Sequence, residues 1–148
     1  MDVDLRKRVR PILQMSVAQF DAAFPDELAC VRFLVERRWP RGVRCPRCGG
    51  KNVYPLRNME FKWECPDCRN GGAYRFSHLV GTIFENTNLE LLDWFRVIYL
   101  IVTRRRGIKV RTLQHLMGFG SYKTAWSLRK RVLTALRDPA FRKLLNVE

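Results

Sequence analysis

From Trp39 to Ser77 the chain reads WPRGVRCPRCGGKNVYPLRNMEFKWECPDCRNGGAYRFS. Two Cys-x-x-Cys pairs stand in it, Cys45-Pro46-Arg47-Cys48 and Cys65-Pro66-Asp67-Cys68, with 16 residues between them. This is the ligand spacing of a four-cysteine structural zinc site. Two residues between cysteines let one tight turn aim both sulfurs at a single point. Pro46 and Pro66 fix φ just after the first cysteine of each pair. Gly49-Gly50 and Gly71-Gly72 follow the two knuckles, and Arg44, Arg47 and Arg69 can offset the charge of four thiolates. Four thiolates close the coordination sphere, so one structural zinc is expected at Cys45, Cys48, Cys65 and Cys68, with no open position for water. Two pairs in register favour shared metal over redox chemistry.

Between the knuckles lie two strand-like segments, Val53 to Arg57 and Phe61 to Glu64, with Asn58 suited to the turn. Tyr74-Arg75-Phe76-Ser77 alternates as a third strand would. Three short antiparallel strands with two knuckles describe a zinc ribbon. A module of about 40 residues does not fold on its apolar core alone, so metal is expected to be obligatory. His78 falls near this metal in sequence, but four cysteines already suffice. Cys30, the fifth cysteine, lies in a helical pattern and reads as a small buried hydrophobe.

Upstream, Ser16 to Trp39 reads as helical with a break at Pro25. Phe24-Pro25-Asp26-Glu27 places a proline and two acids where a helix begins. Leu28, Val31, Leu34 and Val35 then follow helical spacing. Arg37 and Arg38 close that helix, Trp39-Pro40 ends it, and Trp39 is expected to anchor it against the ribbon. Downstream, residues 81–88 connect to an apolar helix from Leu89 to about Thr103. Its longest apolar stretch, Leu91 to Val102, includes Asp93 and Arg96 and falls short of the roughly 20 residues a membrane span needs. No secretory signal opens the chain, so the expected compartment is the cytoplasm, with nucleoid association.

Val110 to Met117 reads as a short helix with Leu113, Leu116 and Met117 inward. Gly118-Phe119-Gly120 is the turn, and Ser121 caps the next helix. There Ala125, Leu128, Val132 and Leu136 share one face. Trp126 is assigned to the core, because an aromatic at helical spacing usually packs. Lys123, Ser127 and Lys130 point the other way, with Tyr122 near the start. His115 faces outward. This is a helix-turn-helix pattern, whose second helix would enter the major groove. The fold class is therefore small α+β: a ribbon flanked by helices, then a helix-turn-helix unit. The expected divisions are 1–39, 40–88 and 89–148. No element is assigned after Arg137.

Charge points to the partner. The 148 residues carry a net charge of +14, and 47% of them are hydrophobic, as a folded chain requires. Between Asp93 and Asp138 there is no acid, while eleven basic residues fall in that interval. Such a run repels itself unless a polyanion neutralises it. Duplex DNA leads, and a membrane surface falls well below it. Tyr122, Lys123, Ser127 and Lys130 are the candidate groove contacts. Arg104, Arg105, Arg106, Lys109, Arg111 and Arg131 are the further DNA-binding candidates, Arg104 through Arg111 as phosphate contacts.

In combination, the motifs resemble the N-terminal region of a family of bacterial insertion-sequence transposases with a transposase zinc ribbon. The likeness runs from Phe24-Pro25-Asp26-Glu27 and Cys30, through Arg38-Trp39-Pro40-Arg41-Gly42 and the first knuckle. It continues with the second knuckle, Gly81-Thr82-Ile83-Phe84 and Thr87, and Leu92-Asp93-Trp94-Phe95. It ends at Leu113 to Gly118 and Tyr122-Lys123-Thr124-Ala125-Trp126. The resemblance implies recognition of transposon-end DNA. The family's RNase H-like domain, with its carboxylate triad and two metal ions, has no counterpart after the helix-turn-helix, where the acids are Asp138 and Glu148. A non-catalytic, sequence-specific DNA-binding protein is expected, acting as a transcriptional regulator or a transposon-end binder. Symmetric readers often pair, so a homodimer is compatible with this. One alternative is an RNA-binding or ribosome-associated ribbon, with Tyr54, Trp63, Tyr74 and Phe76 stacking bases. Another is an adaptor for RNA polymerase or a full-length transposase. A nuclease ranks last.

Overall fold

A computed structural model describes residues 11–68, 72–104 and 106–147. The expectations for Arg69, Gly71 and Arg105 lie outside the described residues. The fold is small α+β, with one three-stranded antiparallel sheet and, among the described residues, six α-helices. These residues group into two compact units. One combines the chain up to Cys30 with the chain from Leu89 onward, and the other is Val31–Asn88. The first of the three expected segments is thus shared between the two units.

In the first unit, α1 (Val17–Ala23) opens on a capping box between Ser16 and Gln19. The chain then turns through Pro25 into α2 (Glu27–Arg38). Asp26 caps α2, its Oδ1 accepting from the Ala29 amide at 2.8 Å. Glu27 reaches further: its two carboxylate oxygens accept from the Leu91 and Leu92 amides at 2.8 and 2.9 Å. Those amides begin α3 (Leu91–Val102), whose own N-cap residue, Glu90, makes no side-chain cap. A carboxylate at a helix N-terminus satisfies two orphan donors and meets the positive end of the helix dipole.

α3 is the centre of this unit, with Leu91, Trp94, Phe95, Val97, Ile98, Tyr99 and Ile101 buried. Phe20 stacks on Tyr99 at 4.7 Å, and Phe24 meets Phe95 edge-on at 5.2 Å. The Tyr99 hydroxyl donates to the Met15 carbonyl at 2.9 Å. α4 (Val110–Met117) ends on Gly118 at φ +69°, a left-handed C-cap that suits glycine. α5 (Tyr122–Ala135) starts on the Ser121 cap and buries Ala125, Leu128 and Val132. α6 (Pro139–Leu145), unassigned from sequence, is capped by Asp138 and buries Phe141 and Leu145. Beyond it the Asn146 carbonyl accepts from the Ile12 amide at 2.9 Å.

Three apolar assignments are corrected here. Leu28 is 40% exposed, Leu116 49% and Trp126 47%. Each sits at helical spacing from buried residues, but the buried faces are narrow. On α5 the inward arc is filled by Ala125, Leu128 and Val132. At about 100° per residue, Trp126 is turned roughly a quarter of a circle away from Ala125.

The second unit holds the ribbon. β1 (Tyr54–Pro55), β2 (Lys62–Cys65) and β3 (Tyr74–Ser77) form the sheet in that order. β2 pairs with β3 in register Lys62↔Ser77 through Cys65↔Tyr74, and β1 pairs Tyr54↔Glu64. β1 is shorter than expected, because Pro55 has no N–H and suits only an edge strand. Trp39, Trp63 and Phe76 meet as a triangle with centroids 5.6, 5.9 and 6.1 Å apart, so Trp39 does anchor α2 on the ribbon. The connector is a series of closed turns. Thr82 Oγ1 donates to the Leu79 carbonyl and accepts from the Phe84 amide, and Phe84 is fully buried.

Candidate metal centre and nucleic-acid interface

The sheet brings the two knuckles together. Cys65 ends β2, and the Cys45–Gly50 turn lies beside it, closed by a Gly49 amide to Cys45 carbonyl bond of 2.8 Å and a Cys45 amide to Gly50 carbonyl bond of 3.0 Å. The four Sγ atoms of Cys45, Cys48, Cys65 and Cys68 all lie within 4.8 Å of one another. Cys45 to Cys68 is 3.6 Å and Cys48 to Cys65 is 3.7 Å. A disulfide needs about 2.05 Å. A tetrahedral zinc with sulfurs at about 2.3 Å would set them about 3.8 Å apart. The donor set therefore fits one structural zinc ion, held by all four expected ligands.

The surroundings favour a thiolate at Cys45 and oppose one at Cys65 and Cys68. The Gly50 amide donates to Cys48 Sγ at 3.4 Å, and a Cβ on Gly50 would lie only 3.2 Å from that sulfur. Burial pushes the Cys45 thiol up, but amides of Cys48 and Arg47 and the thiols of Cys68 and Cys48 bring it down to about 7. Burial, then the neighbouring thiols of Cys45, Cys48 and Cys65, pushes Cys68 up to about 12. Four sulfurs so close cannot all ionise without a cation between them.

Elsewhere in this unit the Arg47 guanidinium lies 3.8 Å over the Tyr74 ring. Arg38 lies 4.5 Å over Trp39 and donates to the His78 carbonyl at 2.7 Å. His78 is not among the clustered ligands. Burial first, then the Arg38 charge, holds its imidazole below the ordinary value, and its Nδ1 is buried without a hydrogen-bond partner. Cys30 is fully buried, and burial, with Glu27 and Asp26 nearby, pushes its thiol up to about 12.

The candidate DNA contacts collect on the α4–α5 pair and the segment before it. Arg104, Arg106, Lys109 and Arg111 are exposed, as are Tyr122, Lys123, Lys130 and Arg131, while Ser127 is half-buried. The Arg111 guanidinium stands 6.0 Å from the Tyr122 ring, and Lys130 Nζ stands 5.0 Å over the Trp126 ring. A shallow depression of about 340 Å³ is lined by Arg111, Gln114, His115, Gly118 and Phe119. Arg129 has a different task. It is half-buried, and its Nε donates to the Ile108 carbonyl at 2.8 Å, fixing the loop that carries Lys109. Arg142 donates to the Leu136 carbonyl at 2.6 Å, beyond the end of α5.

A two-knuckle, four-cysteine ribbon is the class of module this geometry defines. Residues 25–71 match the family described as a transposase zinc-ribbon domain. The chain is also 30% identical over 118 residues to an uncharacterized protein in transposable element ISH50 of Halobacterium salinarum. That match takes in 78% of this chain and 38% of the relative. No solved structure matches. Residues 25–71 are thus similar to a transposase zinc-ribbon domain, and the chain spans less than half the length of the transposable-element protein it resembles. Among the described residues, no helix is long and apolar enough to cross a membrane.

Proposed function

We propose that the chain is a sequence-specific duplex-DNA-binding protein of the transposon-end-recognition type, with α4 and α5 as a helix-turn-helix and α5 as the reading helix. The observation that carries this reading is the outward face of α5. Lys123 and Lys130 stand exposed one turn on either side of Trp126, beyond a glycine-capped α4 and a serine-capped α5 start. The first residues of a reading helix are the ones that reach base edges. Tyr122, Lys123, Ser127 and Lys130 supply hydrogen-bonding groups there. Arg104, Arg105, Arg106, Lys109, Arg111 and Arg131 supply charge for the backbone. Four thiolates would leave a zinc ion in the ribbon no open position for water, which gives that ion a structural role. In the cell such DNA binding makes the protein a transposon-end binder or a regulator derived from one. RNA polymerase or a full-length transposase would be protein partners of the same complex, and pairing of two copies would follow from a palindromic target.

The base-stacking RNA reading is less well supported. Trp63 and Phe76 pack on each other and on Trp39, and Tyr74 is covered by Arg47, which leaves Tyr54 as the open ring of the four.

The test is selection of zinc-loaded protein against a random duplex pool at about physiological salt, because salt sets the non-specific background. The expected result is an enriched motif. Absence of enrichment, with structured RNA competing as well as DNA, would replace this reading with a general polyanion grip.

A further inference from the structure

Trp126 is the residue whose placement the core argument does not explain. It is a large apolar side chain, 47% exposed, on the helix that buries Ala125, Leu128 and Val132 behind it. It does not stand alone. Tyr122 is 49% exposed and Leu133 39%. The spacings of four and seven residues put all three on one stripe of α5. An exposed apolar stripe of this kind marks a contact surface.

Charge decides what covers it. Lys123 and Lys130 border the stripe, and Lys130 Nζ sits 5.0 Å over the Trp126 ring itself. Arg111 approaches the Tyr122 ring at 6.0 Å. From Asp93 to Asp138 the sequence has no acid between these cations. A second copy of this face would bring the same lysines against each other without compensation. A polyanion with apolar groups among its polar edges fits both features. The major groove of duplex DNA is such a surface, since each thymine presents a C5-methyl beside hydrogen-bonding atoms.

Resting on the DNA-binding reading above, we infer that Trp126 is a specificity-determining residue that packs on a thymine C5-methyl in the major groove, beside the base or phosphate that Lys130 engages. The cation over one ring face holds the indole in place and leaves its edge to meet the methyl group. Tyr122, one turn earlier, extends the same apolar contact toward the start of the helix.

The experiment uses the full zinc-loaded chain and the duplex enriched by selection. Each thymine in it is replaced in turn by deoxyuridine, which deletes the methyl and keeps every hydrogen-bonding group. Wild type and Trp126→Ala are titrated against each duplex, and their thermal melts are compared first. The ring is half exposed, so the melts should nearly coincide. Trp126→Phe, which keeps an aromatic body, is the second variant. At one thymine, the deoxyuridine duplex should bind wild type about fourfold more weakly, the equivalent of one methyl-sized group left in water. Trp126→Ala should bind both duplexes equally, and Trp126→Phe should keep part of the discrimination. Two outcomes overturn the inference while leaving the DNA reading intact. In one, no thymine discriminates. In the other, discrimination survives unchanged in Trp126→Ala. If no motif is enriched at all, the DNA reading itself fails, and this inference falls with it.

Discussion

Glu27 shows how one side chain joins two parts of the sequence that lie far apart. The Phe24-Pro25-Asp26-Glu27 stretch reads locally as a helix start, and Asp26 acts as one. Glu27 lies in the first turn of its own helix, yet it caps α3, 64 residues away. Nothing in a local pattern reveals that second role, because the donors come from another helix. Glu27→Ala should lower the stability of the unit by about 1–2 kcal/mol, in line with other lost helix caps. Glu27→Gln should recover part of this by keeping one acceptor. Chemical denaturation of the three proteins would read it. Equal stability of Glu27→Ala and wild type would remove the cap from the energetics.

Cys30 makes the opposite case, since its role was legible. A cysteine at helical spacing among apolar residues reads as buried, and it is. With its thiol pushed up to about 12, it holds almost no thiolate at neutral pH. Native zinc-loaded protein at pH 7.5 should therefore leave Cys30 unmodified by iodoacetamide, and denaturation should expose it at once. Mass mapping of the alkylated peptides decides this. Rapid native modification of Cys30 would contradict its burial.

His78 carries a pH dependence that the sequence alone did not show. Its folded-state value lies below the ordinary 6.5, so the unfolded chain takes up the proton more readily than the folded one. Stability tied to this group is present above about pH 6.5 and is lost as the pH falls through the folded value. Melting temperatures of wild type and His78→Gln between pH 8 and pH 5 should diverge at the alkaline end and converge toward the acid end. Parallel curves would assign the acid sensitivity to the cysteines instead.

At the scale of the element, punctuation was readable and orientation was not. The two knuckles, β3, the bounds of α4, the Gly118 stop and the Ser121 start all follow from residue types with strong local preferences. Leu28, Leu116 and Trp126 are exposed despite their spacing, because periodicity says which residues share a face and packing decides how wide the buried face is. α6 begins on a helix-start pair, Asp138-Pro139, but its seven residues give too little periodicity to read from sequence. The ribbon shows the limit of local apolar content. Its buried core is Cys45, Cys65 and Phe76, with Trp39, Val43, Trp63 and others packed around it. Two of those three core residues belong to the four-cysteine cluster that fits zinc. Zinc removal by a strong chelator should therefore abolish the near-ultraviolet signal of Trp39 and Trp63, and zinc should restore it. Retention of that signal in the chelated protein would mean the aromatic triangle holds the ribbon without metal.

At the scale of the whole molecule, the +14 charge and the acid-free stretch set the kind of binding to expect. Arg104, Arg106, Lys109, Arg111 and Arg131 are all exposed, and Arg129 pins the loop that presents Lys109. If these five neutralise phosphates, affinity should fall with salt at a slope of about −4 to −5 on logarithmic axes. Lys130 separates the two kinds of contact. As a phosphate contact, its replacement in Lys130→Ala should reduce that slope by about 1 and weaken all sequences alike. As a base contact, it should leave the slope nearly unchanged and cost about 1–3 kcal/mol on the selected site alone. Its place 5.0 Å over the ring of Trp126, on the face proposed to read the groove, favours the second outcome. Titrations of wild type and Lys130→Ala at several salt concentrations, on selected and scrambled duplexes, give both quantities together. A variant that matches wild type in slope and in selectivity would take Lys130 out of the interface.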